Sequence, residues 1–73
     1  MVQNINNSNE MDNRIDREVL KGKLQLLGRR YGMTQIVREY IAEAEHSDGI
    51  EYWDQFDTVN AAWDDVLEYK ANQ

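Results

Sequence analysis

A chain of 73 residues holds one domain at most, and its 14 acidic against 8 basic side chains leave a formal net charge of -6. Without cysteine there is no disulfide framework, thiolate metal site or cysteine nucleophile, and no apolar run approaches the roughly 20 residues that span a bilayer. A core this small leaves little room for a shaped substrate pocket, so the chain reads as non-catalytic, with no cofactor, no metal and no small-molecule substrate.

The opening MVQNINNSNE has neither the basic flank nor the apolar core of a signal peptide. Together with the missing cysteines it points to a reducing, cytoplasmic setting. Residues 1–9 are Asn-rich and poor in apolar side chains, and read as a disordered N-terminal arm. Residues 10–73 read as a single helical domain.

The first segment is predicted to be helical from Glu10 to Tyr31, capped by Ser8 or Asn9. Its apolar residues fall into two stripes. Met11, Ile15, Val19 and Leu26 form one, and Leu20, Leu24, Leu27 and Tyr31 the other. At 100° per residue the stripe centres lie about 140° apart. A helix apolar on two sides needs two partners, as in the centre of a bundle or in a dimer. Arg14, Arg17 and Lys21 share a third face. Gly22 and Gly28 each cost about 1 kcal/mol relative to Ala in a helix, so they mark either close packing or, at Gly28, an early end.

Gly32 suits a left-handed helix stop and Thr34 an N-cap, so a second helix is predicted from Thr34 to His46. Met33, Ile36, Val37, Tyr40, Ile41 and Ala44 occupy one arc of about 140°, the most amphipathic pattern in the chain. The single histidine, His46, falls at this helix's end, where a terminal carbonyl is a better partner for it than a metal.

Asp48 followed by Glu51 fits a capping box and opens the third segment. Tyr52, Phe56, Val59, Trp63 and Val66 recur with heptad spacing, which favours one helix from Ile50 to Lys70. The other possibility is a shorter helix capped by Asp57, with residues 50–56 forming a separate turn. Trp53 projects about 80° from the centre of the stripe. An off-stripe tryptophan is either a second core contact or an interface anchor, and with Tyr69 it is the candidate for partner binding.

Charge is distributed unevenly. Residues 1–46 are neutral overall, and residues 47–73 carry the whole net charge of -6. Asp57, Asp64 and Glu68 share a face of the third segment, flanked by Asp54 and Asp65. This ridge is either a solvated face, a match for the basic face of Arg14, Arg17 and Lys21 within or between subunits, or a surface for an external basic partner. No calcium-loop pattern accompanies the carboxylates.

The stretch LLGRRYGMTQIVREYI, with Gly28 and Gly32 four apart, resembles the helix-turn-helix of bacterial repressors over about 20 residues. That resemblance implies a DNA-binding regulator using residues 24–41. The apolar residue the pattern expects six places after the turn glycine is Arg38, and Glu39, Glu43 and Glu45 would oppose the phosphate backbone.

The sequence therefore predicts an all-α fold of three helices, a helical hairpin plus a longer acidic C-terminal helix, completed by dimerisation. The expected function is protein–protein interaction or regulation, with a second copy or another protein as partner. A helix-turn-helix DNA binder is the alternative, followed by an acidic nucleic-acid mimic that blocks a basic protein.

Overall fold

Side-chain caps open two of the helices, Asp16 at the first and Thr58 at the last. The computed structural model describes residues 16–47 and 49–73, the side chain of residue 50 excepted. Within them lie four helices and no strand: α1 (Arg17–Arg30), α2 (Thr34–Ser47), α3 (Gly49–Trp53) and α4 (Val59–Ala71). The expected arm, the caps at Ser8 and Asn9, and Met11, Arg14 and Ile15 lie outside the described residues.

Helix α1 begins later than predicted. Asp16 is its N-cap, and the carboxylate accepts the Glu18 amide at 2.8 Å. Asp16 has ψ of 136°, so the run expected from Glu10 is interrupted there. A short carboxylate that captures a free amide competes with continuing helix, and this effect outweighs the apolar periodicity that joins Ile15 to Val19. At the other end the Met33 amide reaches the Gly28 carbonyl at 2.6 Å, and the Gly32 amide reaches Arg29 at 3.4 Å. This is a Schellman stop, and Gly32 adopts the required positive φ of 70°.

Helix α2 starts at Thr34 rather than being capped by it. The Met33 carbonyl takes the first helical bond, from the Val37 amide at 2.9 Å. The amphipathic arc is correct throughout: Met33, Val37, Tyr40, Ile41 and Ala44 are buried, and Ile36 packs against them.

The third segment is divided, which corrects the single helix expected from Ile50 to Lys70. After Trp53 the chain tightens, with Gln55 and Phe56 amides bonded to the Tyr52 and Trp53 carbonyls. The chain then passes through extended backbone at Thr58 (φ -142°, ψ 161°) before α4. Thr58, not Asp57, is the N-cap, its hydroxyl accepting the Ala61 amide at 3.1 Å. Tyr52, Phe56, Val59, Trp63 and Val66 all reach the core region, but from two helices and the link between them. Asp48 of the expected capping box lies outside the described residues.

Helix α2 is the centre of the assembly, packing against α1, α3 and α4, while α1 also packs on α4. Gly28 permits the tightest approach. A Cβ placed there would stand 2.8 Å from Val37 Cγ2, closer than such atoms pack. Gly28 is thus a packing residue and does not end α1. Trp53, at 2% exposure, fills the space between α2 and α1 and meets Tyr40 edge-on at 6.1 Å between ring centres. Burying an indole removes on the order of 200 Å² from water, about 5 kcal/mol before entropic losses.

Candidate functional site

The two predicted apolar stripes are each only partly placed: Tyr31 of the second is 60% exposed, and Met11 and Ile15 of the first lie outside the described residues. Leu20 and Leu24 enter the core, while Val19 and Leu26, seven residues and two turns apart on one face, are 48% and 57% exposed. Helix α4, packed beside α1, adds Leu67 at 42%. These residues are apolar surface that the described part of the chain leaves in water.

The basic face of α1 turns to its own domain. Arg17 donates to both carboxylate oxygens of Asp54, at 3.2 and 3.3 Å. Lys21 donates to Glu45 of α2, lies 3.5 Å from Glu18, and sits 6.0 Å from the centre of the Trp53 ring. The hydrogen bond to Glu45 raises the Lys21 pKa above its ordinary value, against the opposing effect of burial, with the charges of Glu45 and Glu18 adding to it. Arg17 Nε and Trp53 Nε1 are buried with no acceptor among the described residues.

The acidic ridge is only partly assembled. Asp64 and Glu68 are exposed on α4, whereas Asp57 precedes the Thr58 cap and belongs to no helix. None of the three has a cation within 4.0 Å among the described residues. Trp53 lies in the core, the first of its two predicted roles, and its ring is not presented to solvent. Tyr69 is half-buried, its ring 5.5 Å from that of Tyr40.

Beside Tyr69 lies a constellation that periodicity alone did not reveal. The Tyr40 and Tyr52 hydroxyls both donate to Asp65 Oδ2 and contact each other. Burial, followed by the hydrogen bonds to Asp65 and Tyr52, holds the Tyr40 hydroxyl far above the ordinary tyrosine pKa. An open cleft of about 280 Å³ borders this cluster, walled by Tyr40, Tyr52 and Tyr69 and edged by Glu43, Asp65 and Glu68. The available signal was Tyr40 itself, because a hydroxyl on a buried arc requires an acceptor, and an aspartate is the strongest nearby.

At the hairpin, Gln25, Arg29, Thr34, Val37 and Arg38 line a second hollow of about 240 Å³. Arg29, Arg30 and Arg38 form no ion pair among the described residues. Gln35 is tied to Glu39 at 2.9 Å. Among the described residues no three His, Asp or Glu side chains converge to hold a metal ion, and no helix is long and apolar enough to cross a membrane. No protein family, curated protein or solved structure matches the chain.

Proposed function

We propose that this chain is a non-catalytic protein-binding module whose α1–α4 face associates with a second copy. The exposure of Val19 and Leu26 on one face of α1 carries this reading. A lean core cannot spare apolar area, and two such residues, with exposed Leu67 on the neighbouring α4, would offer a seam for another pair of helices. Charge supports a symmetric partner. Lys23 and Arg30 accompany Val19 and Leu26 on α1, and Asp64 and Glu68 flank Leu67 on α4. A two-fold axis that lays α1 across the second copy's α4 would bring opposite charges together twice. The absence of a catalytic role is consistent with His46, the single histidine, being exposed at the end of α2.

Sedimentation equilibrium tests this directly. The wild-type chain is expected to dimerise, and a Val19→Ser/Leu26→Ser variant to remain folded and monomeric. A wild-type chain that stays monomeric at high concentration would remove the second copy as the partner.

A DNA-binding reading retains one favourable observation, that Arg29, Arg30 and Arg38 at the helical hairpin form no ion pair among the described residues. It is opposed by three exposed carboxylates on the same helix, Glu39, Glu43 and Glu45. Duplex binding that weakens steeply with salt and is abolished by Arg29→Glu/Arg38→Glu would establish it in place of the first reading.

A further inference from the structure

We infer that the cleft between α2, α3 and α4 is a receptor for an arginine side chain carried by a partner protein. This rests on the protein-binding reading but not on the α1 surface, because no α1 residue lines the cleft.

The walls and the rim each select the ligand. Tyr40, Tyr52 and Tyr69 supply aromatic surface, with Tyr52 and Tyr69 both set edge-to-face against Tyr40. Such rings attract a cation over their faces. Glu43 on the α2 side, with Asp65 and Glu68 on the α4 side, brings carboxylates to two sides of the same space, and no lysine or arginine among the described residues lines it. Asp65 spends Oδ2 on the two tyrosine hydroxyls, so Oδ1 is engaged by neither and is held in place by that clamp. A half-buried carboxylate with an idle oxygen gains most from a charged donor.

Competing ligands fit less well. Three carboxylates repel anions. At about 280 Å³ and open to solvent, the cleft lies at or below the low end of small-molecule pockets, which span about 300–1,000 Å³. It is adequate for one side chain inserted from outside. A hard cation needs converging oxygen ligands, and no such group of three occurs among the described residues. Between the two basic side chains, a planar guanidinium both stacks on tyrosine and forks onto a carboxylate, whereas an ammonium is a hydrated point charge.

The test is a titration of the isotope-labelled full chain, followed by NMR, with the blocked tripeptide acetyl-Gly-Arg-Gly-amide at low ionic strength. Its citrulline and lysine counterparts serve as controls. Shifts are expected to concentrate on Tyr52, Asp65, Glu68 and Tyr69, with no response to the citrulline peptide and a weaker one to lysine. Glu43→Gln removes one exposed charge on α2, away from the α1–α4 face, and should leave the fold and the oligomeric state unchanged while weakening the arginine peptide by about twofold or more. Tyr69→Phe should bind like wild type, because the ring face remains. Equal responses to citrulline, equal affinity for lysine, shifts spread over Asp57 and Asp64, or unchanged arginine-peptide binding by Glu43→Gln would each overturn the assignment. The oligomeric state of the unliganded chain bears only on the α1–α4 proposal, so the two can fail separately.

Discussion

The Tyr40 hydroxyl donates to the Asp65 carboxylate across the α2–α4 interface, joining residues 25 apart in the chain. Tyr40 is only 4% exposed, so its hydroxyl has exchanged water for this acceptor. Tyr52 donates to the same oxygen and adds α3 to the join. One carboxylate thereby fixes the relative placement of three helices and shapes the wall of the cleft.

Removing the acceptor is expected to cost more than removing one donor. Tyr40→Phe deletes the bond to Asp65 and the contact with Tyr52, but Tyr52 still satisfies Asp65, so the loss should be about 1 kcal/mol. Asp65→Ala removes the charged acceptor of both hydroxyls and leaves that of Tyr40, among the described residues, only the Tyr52 hydroxyl, and should cost about 2–3 kcal/mol. Urea denaturation of the two variants and of their combination checks this. The double variant should cost less than the sum, since the residues act on one network.

Alkali should unfold the chain before it ionises Tyr40. The group's pKa is raised in the folded state above the ordinary 10.0, so its contribution is complete below pH 10. It is lost progressively as pH rises beyond that point, because the unfolded chain releases a proton that the native state retains. A pH series of melting temperatures should therefore fall above pH 10, with phenolate absorbance from Tyr40 appearing only with unfolding. Tyr40→Phe should flatten that fall. A Tyr40 phenolate signal in the folded chain near pH 10 would contradict the buried geometry.

The two glycines of α1 should respond oppositely to alanine. A Cβ at Gly22 meets nothing within 4 Å, so Gly22→Ala should stabilise by up to about 1 kcal/mol through helix propensity. At Gly28 the same gain is opposed by the contact with Val37 Cγ2, and Gly28→Ala should destabilise by about 1–2 kcal/mol. Introduced on a Val37→Ala background, Gly28→Ala should cease to destabilise. Thermal unfolding of the four proteins is sufficient to decide.

Capping distinguishes Thr58 from its acidic neighbour. Thr58→Ala leaves the Ala61 amide without its side-chain acceptor and should cost about 1 kcal/mol. Asp57→Ala, at an exposed position outside α4, should change stability by less than about 0.5 kcal/mol. The reverse order in a denaturation series would restore Asp57 as the cap and the longer acidic ridge with it.

The physical reasons for success and failure at the sequence level separate cleanly by residue. The arc from Met33 to Ala44 was legible because burial on one side of a helix follows a 3.6-residue period whatever it packs against. Gly32 was legible because a left-handed stop is a backbone requirement, met locally. The break before α4 was not, because the heptad spacing from Tyr52 to Val66 continues across it. Both arrangements bury those side chains, and the Thr58 cap weighs only slightly in either direction. Trp53 was ambiguous for a related reason. On one long helix it points away from the stripe, and only the separate direction of α3 swings it into the core. Of the candidate partner residues, Arg17 and Asp54 meet each other, Tyr69 lines the cleft, and Asp64 and Glu68 keep one face, while Asp57 leaves it.

By itself the sequence determined an all-helical chain, the hairpin turn at Gly32, the buried face of α2, and a C-terminal part carrying the net negative charge. These follow from periodicity, backbone restriction and composition, which act over a few residues. Tertiary structure alone decided that α2 rather than α1 is central, that Val19 and Leu26 of α1 stay exposed among the described residues, and that Tyr40, Tyr52 and Asp65 converge. Those outcomes depend on distances between side chains far apart in the chain, and helix period carries no information about which face meets which.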